Sequence, residues 1–218
     1  MHKTTLLALT LPLFLAACTT PETGPDPLTL NFTATGTLQN YTPDQTYALS
    51  VPLATGTASV GEIKTDKAVS VTLTPEIAKA KSRTLADFVN SIKTAGCDAS
   101  QLTVQDTTYR GLSKFDFTTS NGTASYVQAR SEISNADGTR SVTEKAFWYA
   151  TAAGSITGQY TCPGGTPITY NVTLQPGWNV IDTTGVYNPT SKTTSSIRYT
   201  SMASTNTYTG PWYAYTKN

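Results

Sequence analysis

The sequence predicts a mainly β protein, built as antiparallel β-sandwich-like modules with one short α-helix. Threonine makes up about one residue in five, and its branched Cβ suits the pleated surface of a strand. Only 13% of the residues are charged, against about 25% in ordinary soluble domains. Turn signals separate short alternating segments at intervals of about 8–12 residues, which is typical of a sandwich or barrel.

The first 27 residues are predicted to be an export signal and a spacer. Lys3 precedes a mostly apolar run over 6–15, which is shorter than the about 20 residues that span a bilayer. Small residues and Cys18 follow this run. The pattern indicates a secretory signal over 1–17, and the prolines of the segment 18–27 indicate an extended spacer.

The tetrapeptide Leu-Ala-Ala-Cys at 15–18 resembles the lipobox of exported bacterial lipoproteins. In that family the signal is cut before the cysteine and the thiol carries a diacylglycerol, so the resemblance implies that Cys18 is the lipidated N-terminus. Two or more acyl chains hold a protein stably on a membrane. Thr19, in place of Asp, implies the outer membrane in a bacterium with two membranes. The alternative is an ordinary signal peptide in which Cys18 has no role.

Two cysteines, Cys97 and Cys162, remain in the predicted mature chain. An even pair in an oxidising compartment is best explained by a disulfide. This bond would fasten the end of the predicted helix to the larger β-region. The alternative is two free thiols, one of them reactive.

An opening β-module is predicted over 28–74. Apolar and polar residues alternate over 28–34 and over 67–74, as they do in half-buried strands. Two more strands are expected near 45–51 and 58–64.

The next segment, 75–96, is predicted to contain the helix, over Thr84–Ala95. The segment opens with Pro75, at a position that favours a first helical turn. Thr84 and Asp87 have the spacing of a capping box, and Gly96 stands where helices end. The apolar stripe between them is interpreted as core, with a partner-binding face as the alternative.

The larger antiparallel β-region, 97–218, is predicted to hold about eight to ten short strands. Asn121-Gly122 and Asp137-Gly138 are strong hairpin signals. The segment 174–181 ends a strand in leucine, turns at Pro-Gly and starts again at Gly-Trp-Asn. This resembles a hairpin of uncharacterised β-rich bacterial lipoproteins, and the opening β-module resembles theirs as well. The resemblance implies no activity.

The lack of histidine in the mature chain excludes several kinds of catalysis. His2 is the single histidine of the sequence, and it leaves with the signal. The mature chain therefore has no Ser-His-Asp triad, no Cys-His dyad and no histidine metal site. It has neither a phosphate-binding glycine loop nor a calcium loop, so we expect no cofactor and no metal. It also shows no basic patch of the kind that nucleic acid requires.

A pair of carboxylates is the one remaining route to hydrolysis, since two such groups can cleave a glycoside. Nothing in the spacing of the acidic residues separates a catalytic pair from solvated charges. The candidates are Asp98, Asp106, Asp116, Glu132 and Glu144.

Aromatic residues are the strongest remaining signal for binding, because exposed rings stack on sugars and dominate interfaces. Trp148 lies in the run Phe-Trp-Tyr, where one of two consecutive strand residues faces outward unless both faces are covered. Trp212 and Tyr213 form a similar pair near the C-terminus. We predict ligand contacts at these three residues, with core packing as the alternative.

Taken together, these features predict a non-catalytic lipoprotein of the cell envelope that binds or organises other envelope components. The membrane, through Cys18, and envelope proteins or glycans are the expected partners. A second hypothesis is a β-module that binds a glycan or small ligand through exposed aromatic rings. A third is a hydrolase that uses two carboxylates.

Overall fold

The computed structural model describes residues 25–202 and 205–217. The predicted signal over 1–17 and the predicted lipidation site, Cys18, lie outside these residues. Strands account for 57% of these residues and helices for 8%, which confirms the mainly β class. Neither helix in the described ranges is long and apolar enough to cross a membrane.

Fifteen strands and two helices lie within the described residues. In chain order they are β1 (Phe32–Leu38), β2 (Tyr47–Pro52), β3 (Thr57–Ile63), β4 (Ala68–Leu73), α1 (Pro75–Lys79), β5 (Arg83–Thr84), α2 (Leu85–Thr94), β6 (Thr103–Gln105), β7 (Thr108–Leu112), β8 (Phe115–Thr118), β9 (Ala124–Ser134), β10 (Arg140–Ala150), β11 (Gly154–Tyr160), β12 (Ile168–Leu174), β13 (Gly177–Asn188), β14 (Thr193–Ser201) and β15 (Thr207–Thr216).

Seven strands close into a barrel, in the order β15-β1-β4-β3-β2-β8-β9, because β9 pairs back onto β15. The pairing of β1 with β15 is parallel, and the other pairings in the ring are antiparallel. The barrel therefore contains the opening module, 28–74, together with three strands from the region 97–218. Apolar residues of alternate positions fill its interior, among them Phe32, Leu49 and Trp212.

A second sheet shares β9 with the barrel, because residues 130–134 of β9 pair with β10 instead. From β10 this sheet continues through β13, β14, β12, β11 and β6, and β7 flanks β10. Strand β10 separates two cores. Phe147 and Tyr149 pack with the barrel interior, whereas Ala146 and Trp148 pack into the core beneath α2.

Helix α2 confirms the predicted helix. The Thr84 hydroxyl accepts a hydrogen bond from Asp87 N (2.9 Å), and the Asp87 carboxylate accepts one from Thr84 N (3.4 Å). Gly96 follows the helix with φ 79°, the left-handed conformation of a helix end. The segment 75–96 also contains the second helix, α1, which starts at the proline noted in the sequence.

The Cys97–Cys162 disulfide is present and joins the end of α2 to the residue pair that follows β11. Beside it, Asp98 N donates to Thr161 O (2.9 Å) and Thr161 N donates to Asp98 O (3.2 Å). The link therefore holds the helix against the second sheet.

Two of the three predicted hairpins form as expected. Gly122 and Gly138 have φ 83° and 80° and lie in the turns that join β8 to β9 and β9 to β10. The turn at Gly177 differs from the expected hairpin, because β14 lies between β12 and β13. The Asn179 side chain holds this turn by bonding both Gln175 N and Gln175 O, each at 2.9 Å.

The segment that precedes the first strand docks on the second sheet. A strand was expected over 28–34, but β1 starts at Phe32. Upstream of it, Leu28 O accepts from the Tyr149 hydroxyl (2.9 Å) and Leu30 O accepts from the Trp178 indole (3.1 Å). These bonds fix where the predicted spacer enters the fold.

Candidate functional site at the fork between the two sheets

A cleft opens where strand β10 changes its neighbour. Residues Arg140–Glu144 of β10 pair with β9, and residues Phe147–Ala150 pair with β7. Between these two stretches β9 bends away into the barrel, which leaves a cleft of about 460 Å³. We call it the fork cleft. Its walls include Lys81, Arg83, Phe88, Tyr109, Gly111, Lys114, Gln128, Glu144, Trp148, Tyr170 and Tyr199.

Aromatic rings from four strands and α2 form the floor of the fork cleft. Tyr170 and Tyr199 stack with their ring centres 4.6 Å apart and their planes at 11°. The ring centres of Tyr109 and Trp148 lie 4.7 Å apart. Phe88 of α2 stands edge-on to Tyr170, with the ring centres 5.8 Å apart. Most of this aromatic surface is buried in the core beneath α2. Tyr109, Trp148 and Tyr170 are only 4–7% exposed, so a ligand would meet the edges of these rings at the floor.

The indole of Trp148 reaches the cleft because its cross-strand partner is a glycine. Trp148 is only 7% exposed, and its register partner is Gly111. A Cβ at position 111 would lie 2.7 Å from Trp148 Nε1. Within the described residues the indole N–H has no hydrogen-bond acceptor. Because a buried Trp N–H usually finds a partner, this donor is available to a ligand.

The amide of Gln128 is the second uncommitted polar group. Val127 and Ala129 point into the barrel core, so the strand alternation of β9 turns Gln128 towards the cleft. Gln128 is 3% exposed and lines the cleft. Its side chain forms no hydrogen bond within the described residues. The amide atoms are not fully buried, so they can bond a ligand in the cleft.

The phenols of the floor remain neutral well into the alkaline range. Burial raises the pKa of Tyr109, of Tyr170 and of Tyr199 above the ordinary value of 10.0. The charged hydroxyls of neighbouring tyrosines would add to this effect for Tyr170. Each phenol therefore keeps an O–H that can donate as well as accept at neutral pH.

Cationic side chains outnumber anionic ones on the walls of the fork cleft. Some of these charges are already compensated. Glu144 accepts from Arg130 at 3.3 Å, and Lys145 contacts the Asp182 carboxylate at 2.6 Å. Arg110 donates to two backbone carbonyls. Three exposed cations on the rim form no salt bridge within the described residues, and they are Lys81, Arg83 and Lys114.

A second cleft, of about 470 Å³, adjoins the first along β13 and β14. The two share Glu144, Thr183 and Tyr199 on their walls. The second cleft continues past Tyr187 and Ile197. The combined groove therefore suits an elongated ligand better than a compact one.

The three predicted ligand residues have different positions. Trp148 lies on the floor of the fork cleft, with both faces of its strand covered. Trp212 has none of its surface exposed and donates from Nε1 to Thr35 O (3.2 Å) inside the barrel. This corrects the expectation that Trp212 faces a ligand. Tyr213 points outward beside Gln128 in the β9–β15 register, but it does not line the cleft.

The candidate carboxylates do not assemble into a free pair. Glu132 and Glu144 come together on either side of Arg130, whose nitrogens lie 2.6 and 3.3 Å from them. A turn, the start of α2 and a surface lysine engage the other three, Asp98, Asp106 and Asp116. Across the described residues, no group of three or more His, Cys, Asp or Glu side chains could hold a metal ion.

Sequence reasoning missed Gly111, Gln128 and the stacked pair Tyr170–Tyr199 as cleft residues. The two tyrosines fall in strands that were predicted, at positions whose alternation assigns them to a buried face. Gln128 carries no such signal, since a glutamine in a strand ordinarily faces water.

Comparison with protein-family models, with curated proteins and with solved structures finds no match in any of the three. The functional argument therefore depends on the geometry of the fork cleft.

Proposed function

We propose that the protein is a non-catalytic lipoprotein of the cell envelope that binds a saccharide component of the envelope in the fork cleft. The observation that carries the proposal is that the Trp148 indole N–H and the uncommitted Gln128 amide line one cleft with an aromatic floor. Binding sites typically combine apolar walls with a few placed polar groups in about 300–1,000 Å³.

The chemistry of the cleft suits a sugar. A pyranose ring has C–H faces that stack on aromatic rings and a rim of hydroxyls that need both donors and acceptors. The Gln128 amide supplies two donors and an acceptor, and the Trp148 indole supplies a donor. The phenols of Tyr170 and Tyr199 can serve in either sense.

The placement of the acidic residues supports binding rather than turnover. Glycoside hydrolysis needs two carboxyl groups that flank the scissile bond, one as acid and one as base or nucleophile. Glu132 and Glu144, which come closest to this arrangement, both contact the Arg130 guanidinium. The pairing of both carboxylates with one guanidinium therefore favours binding over hydrolysis.

The entry point of the spacer supports an orientation for the cleft. The chain from Pro25 onward docks at Tyr149 and Trp178, near the end of β10 and the start of β13. Strand β10 starts at the hairpin 135–139 and ends near this docked segment. Since a strand advances by about 3.3 Å per residue, the hairpin lies at the far end of the strand from the docked segment. A lipid on Cys18 would hold this docked end nearest the membrane and direct the hairpin away from it.

The test of the saccharide site uses oligosaccharides released from the envelope of the producing cell. The full chain is titrated with them by calorimetry, alongside a Gly111→Val variant. Valine suits an exposed strand position, and its Cβ would cover the Trp148 indole edge. We expect at least a ten-fold loss of affinity. Because a Cβ at 2.7 Å obliges the Trp148 ring to shift, urea unfolding establishes that the variant is still folded, and Gln128→Leu, which removes the amide without adding a Cβ, should also lose affinity.

The matched control is Thr173→Val, which also introduces a valine at an exposed position. Thr173 lies on the face of β12 opposite to Tyr170. This variant should bind as the unmodified chain does. Equal binding by Gly111→Val and the unmodified chain would refute the cleft as the saccharide site. Membrane fractionation of the full chain and of Cys18→Ser tests the anchor, and the serine form should become soluble.

A further inference from the structure

We propose that the saccharide bound in the fork cleft carries an anionic group, a carboxylate or a phosphate, which Lys81, Arg83 and Lys114 hold at the rim. This inference rests on the proposed function and names its ligand class.

The first observation is a local excess of positive charge in a nearly neutral chain. The whole sequence has 15 Lys and Arg against 14 Asp and Glu. The walls of the fork cleft instead carry five cationic side chains and one carboxylate, that of Glu144. Asp182 compensates one of the five, Lys145, at 2.6 Å, which leaves four cations. Glu144 is itself bound by Arg130, at 3.3 Å. The cleft therefore presents a positive potential to a ligand, which its own carboxylate does not cancel.

The second observation is that the Arg83 guanidinium lies against two aromatic rings at the rim of the cleft. Its guanidinium carbon lies 4.8 Å from the Phe88 ring centre and 5.9 Å from that of Tyr109. The β5–β7 pairing sets Arg83 opposite Tyr109. A guanidinium positioned in this way still carries N–H groups in a planar fork, which matches the two oxygens of a carboxylate or phosphate.

The third observation is that the other two cations come from different elements around the same opening. Lys114 follows β7, and its Nζ lies 4.6 Å from the Tyr126 ring centre. Lys81 lies between α1 and β5. Neither lysine has a carboxylate partner among the described residues, so both can turn to a bound anion.

These positions define a pose for the ligand. The sugar ring covers the floor formed by Trp148, Tyr170 and Tyr199, and its hydroxyls bond the Gln128 amide. The acidic substituent extends to the rim, next to Arg83. A neutral sugar could use the floor but would leave the three cations unpaired.

The experiment divides the envelope oligosaccharides by anion exchange into an acidic and a neutral fraction. Each fraction is titrated into the full chain at low and at high salt. We expect the acidic fraction to bind more tightly, and we expect its affinity to fall as salt shortens the screening length from about 10 Å to about 3 Å.

Lys81→Gln and Lys114→Gln provide the residue-level test. Because an exposed ion pair contributes modestly, each change should weaken binding of the acidic fraction about two- to five-fold. The double variant should show a larger loss, and residual binding of the neutral fraction should not change. Lys93→Gln is the matched control, since Lys93 is an exposed lysine of α2 that does not line the cleft.

Chemical treatment of the acidic fraction separates the two sources of charge. Loss of binding after carboxyl reduction identifies a uronate, and loss after phosphatase treatment identifies a phosphate. Tight binding of the neutral fraction, without salt dependence, overturns this inference and leaves the saccharide site standing. If neither fraction binds, the proposed function itself is wrong.

Discussion

Removal of the Cys97–Cys162 disulfide offers a quantitative test of what holds α2 against the second sheet. The bond closes a loop of 65 residues. On the chain-entropy model, opening a loop of this length raises the entropy of the unfolded chain and so lowers the free energy of unfolding by about 4 kcal/mol at 25 °C. Single domains are stable by only about 5–15 kcal/mol, so a large share of the stability depends on this one link.

The position of the bond adds a structural reason to expect a large effect. Cys97 follows α2 directly, and Leu85, Val89 and Ile92 of that helix cover one face of the second sheet. Without the link, the short helix is held by this apolar stripe and by its capping box. We therefore expect the helix end to loosen before the rest of the fold.

The measurement is urea unfolding at equilibrium, followed by circular dichroism and tryptophan fluorescence. Four samples are compared, namely the oxidised chain and the Cys97→Ser/Cys162→Ser variant, each with and without a thiol reductant. With an m-value of about 2 kcal/mol/M, the loss should lower the midpoint by about 2 M. The reductant should not move the midpoint of the double variant. Midpoint shifts below about 0.5 M in both reduced samples would refute the loop-closure argument.

Three further perturbations probe the barrel, the helix and the buried phenols. Gly36→Ala would place a Cβ 1.7 Å from Gly210 O in the parallel β1–β15 pairing. We expect urea unfolding to show a free energy of unfolding lowered by about 3 kcal/mol or more. A loss below about 1 kcal/mol would contradict this packing. Thr84→Ala removes the α2 cap and should cost about 1 kcal/mol, whereas Thr84→Ser, which keeps the hydroxyl, should cost much less. Burial raises the pKa of Tyr208 from 10.0 to about 12, so above pH 10 the unfolded chain releases a proton that the folded chain retains. Its contribution to stability is therefore constant below pH 10 and falls towards pH 12 by up to about 1.4 kcal/mol per pH unit. Tyr208→Phe should make the alkaline decline of the urea midpoint shallower, and an unchanged slope would contradict the assignment.

Local signals predicted those features that local physics controls. The capping pair Thr84 and Asp87 and the terminal Gly96 delimit α2 because hydrogen bonds between near neighbours satisfy the ends of a helix. Gly122 and Gly138 mark hairpins because their turns need positive φ, which glycine adopts at no cost. The pairing of Cys97 and Cys162 was predicted from their number and from the expected oxidising compartment.

Trp148 and Trp212 show why the candidate site was less predictable. Alternation shows that neighbouring residues of a strand face opposite sides, but it does not show whether a second layer covers the outer side. For Trp148 both sides are covered, by the barrel core and by the core under α2. For Trp212 the covered side is the barrel interior, and Tyr213 takes the outward position.

The sequence by itself determined the β class, the helix with its caps, two hairpins and the cysteine pair, because each depends on contacts between near neighbours or on composition. The tertiary structure decided that β1 pairs with β15, that β9 serves two sheets and that Gln128, Gly111 and Trp148 line one cleft. These contacts join segments that are far apart in the chain. Their formation depends on which apolar faces bury one another in three dimensions, and no local pattern of residues records that choice.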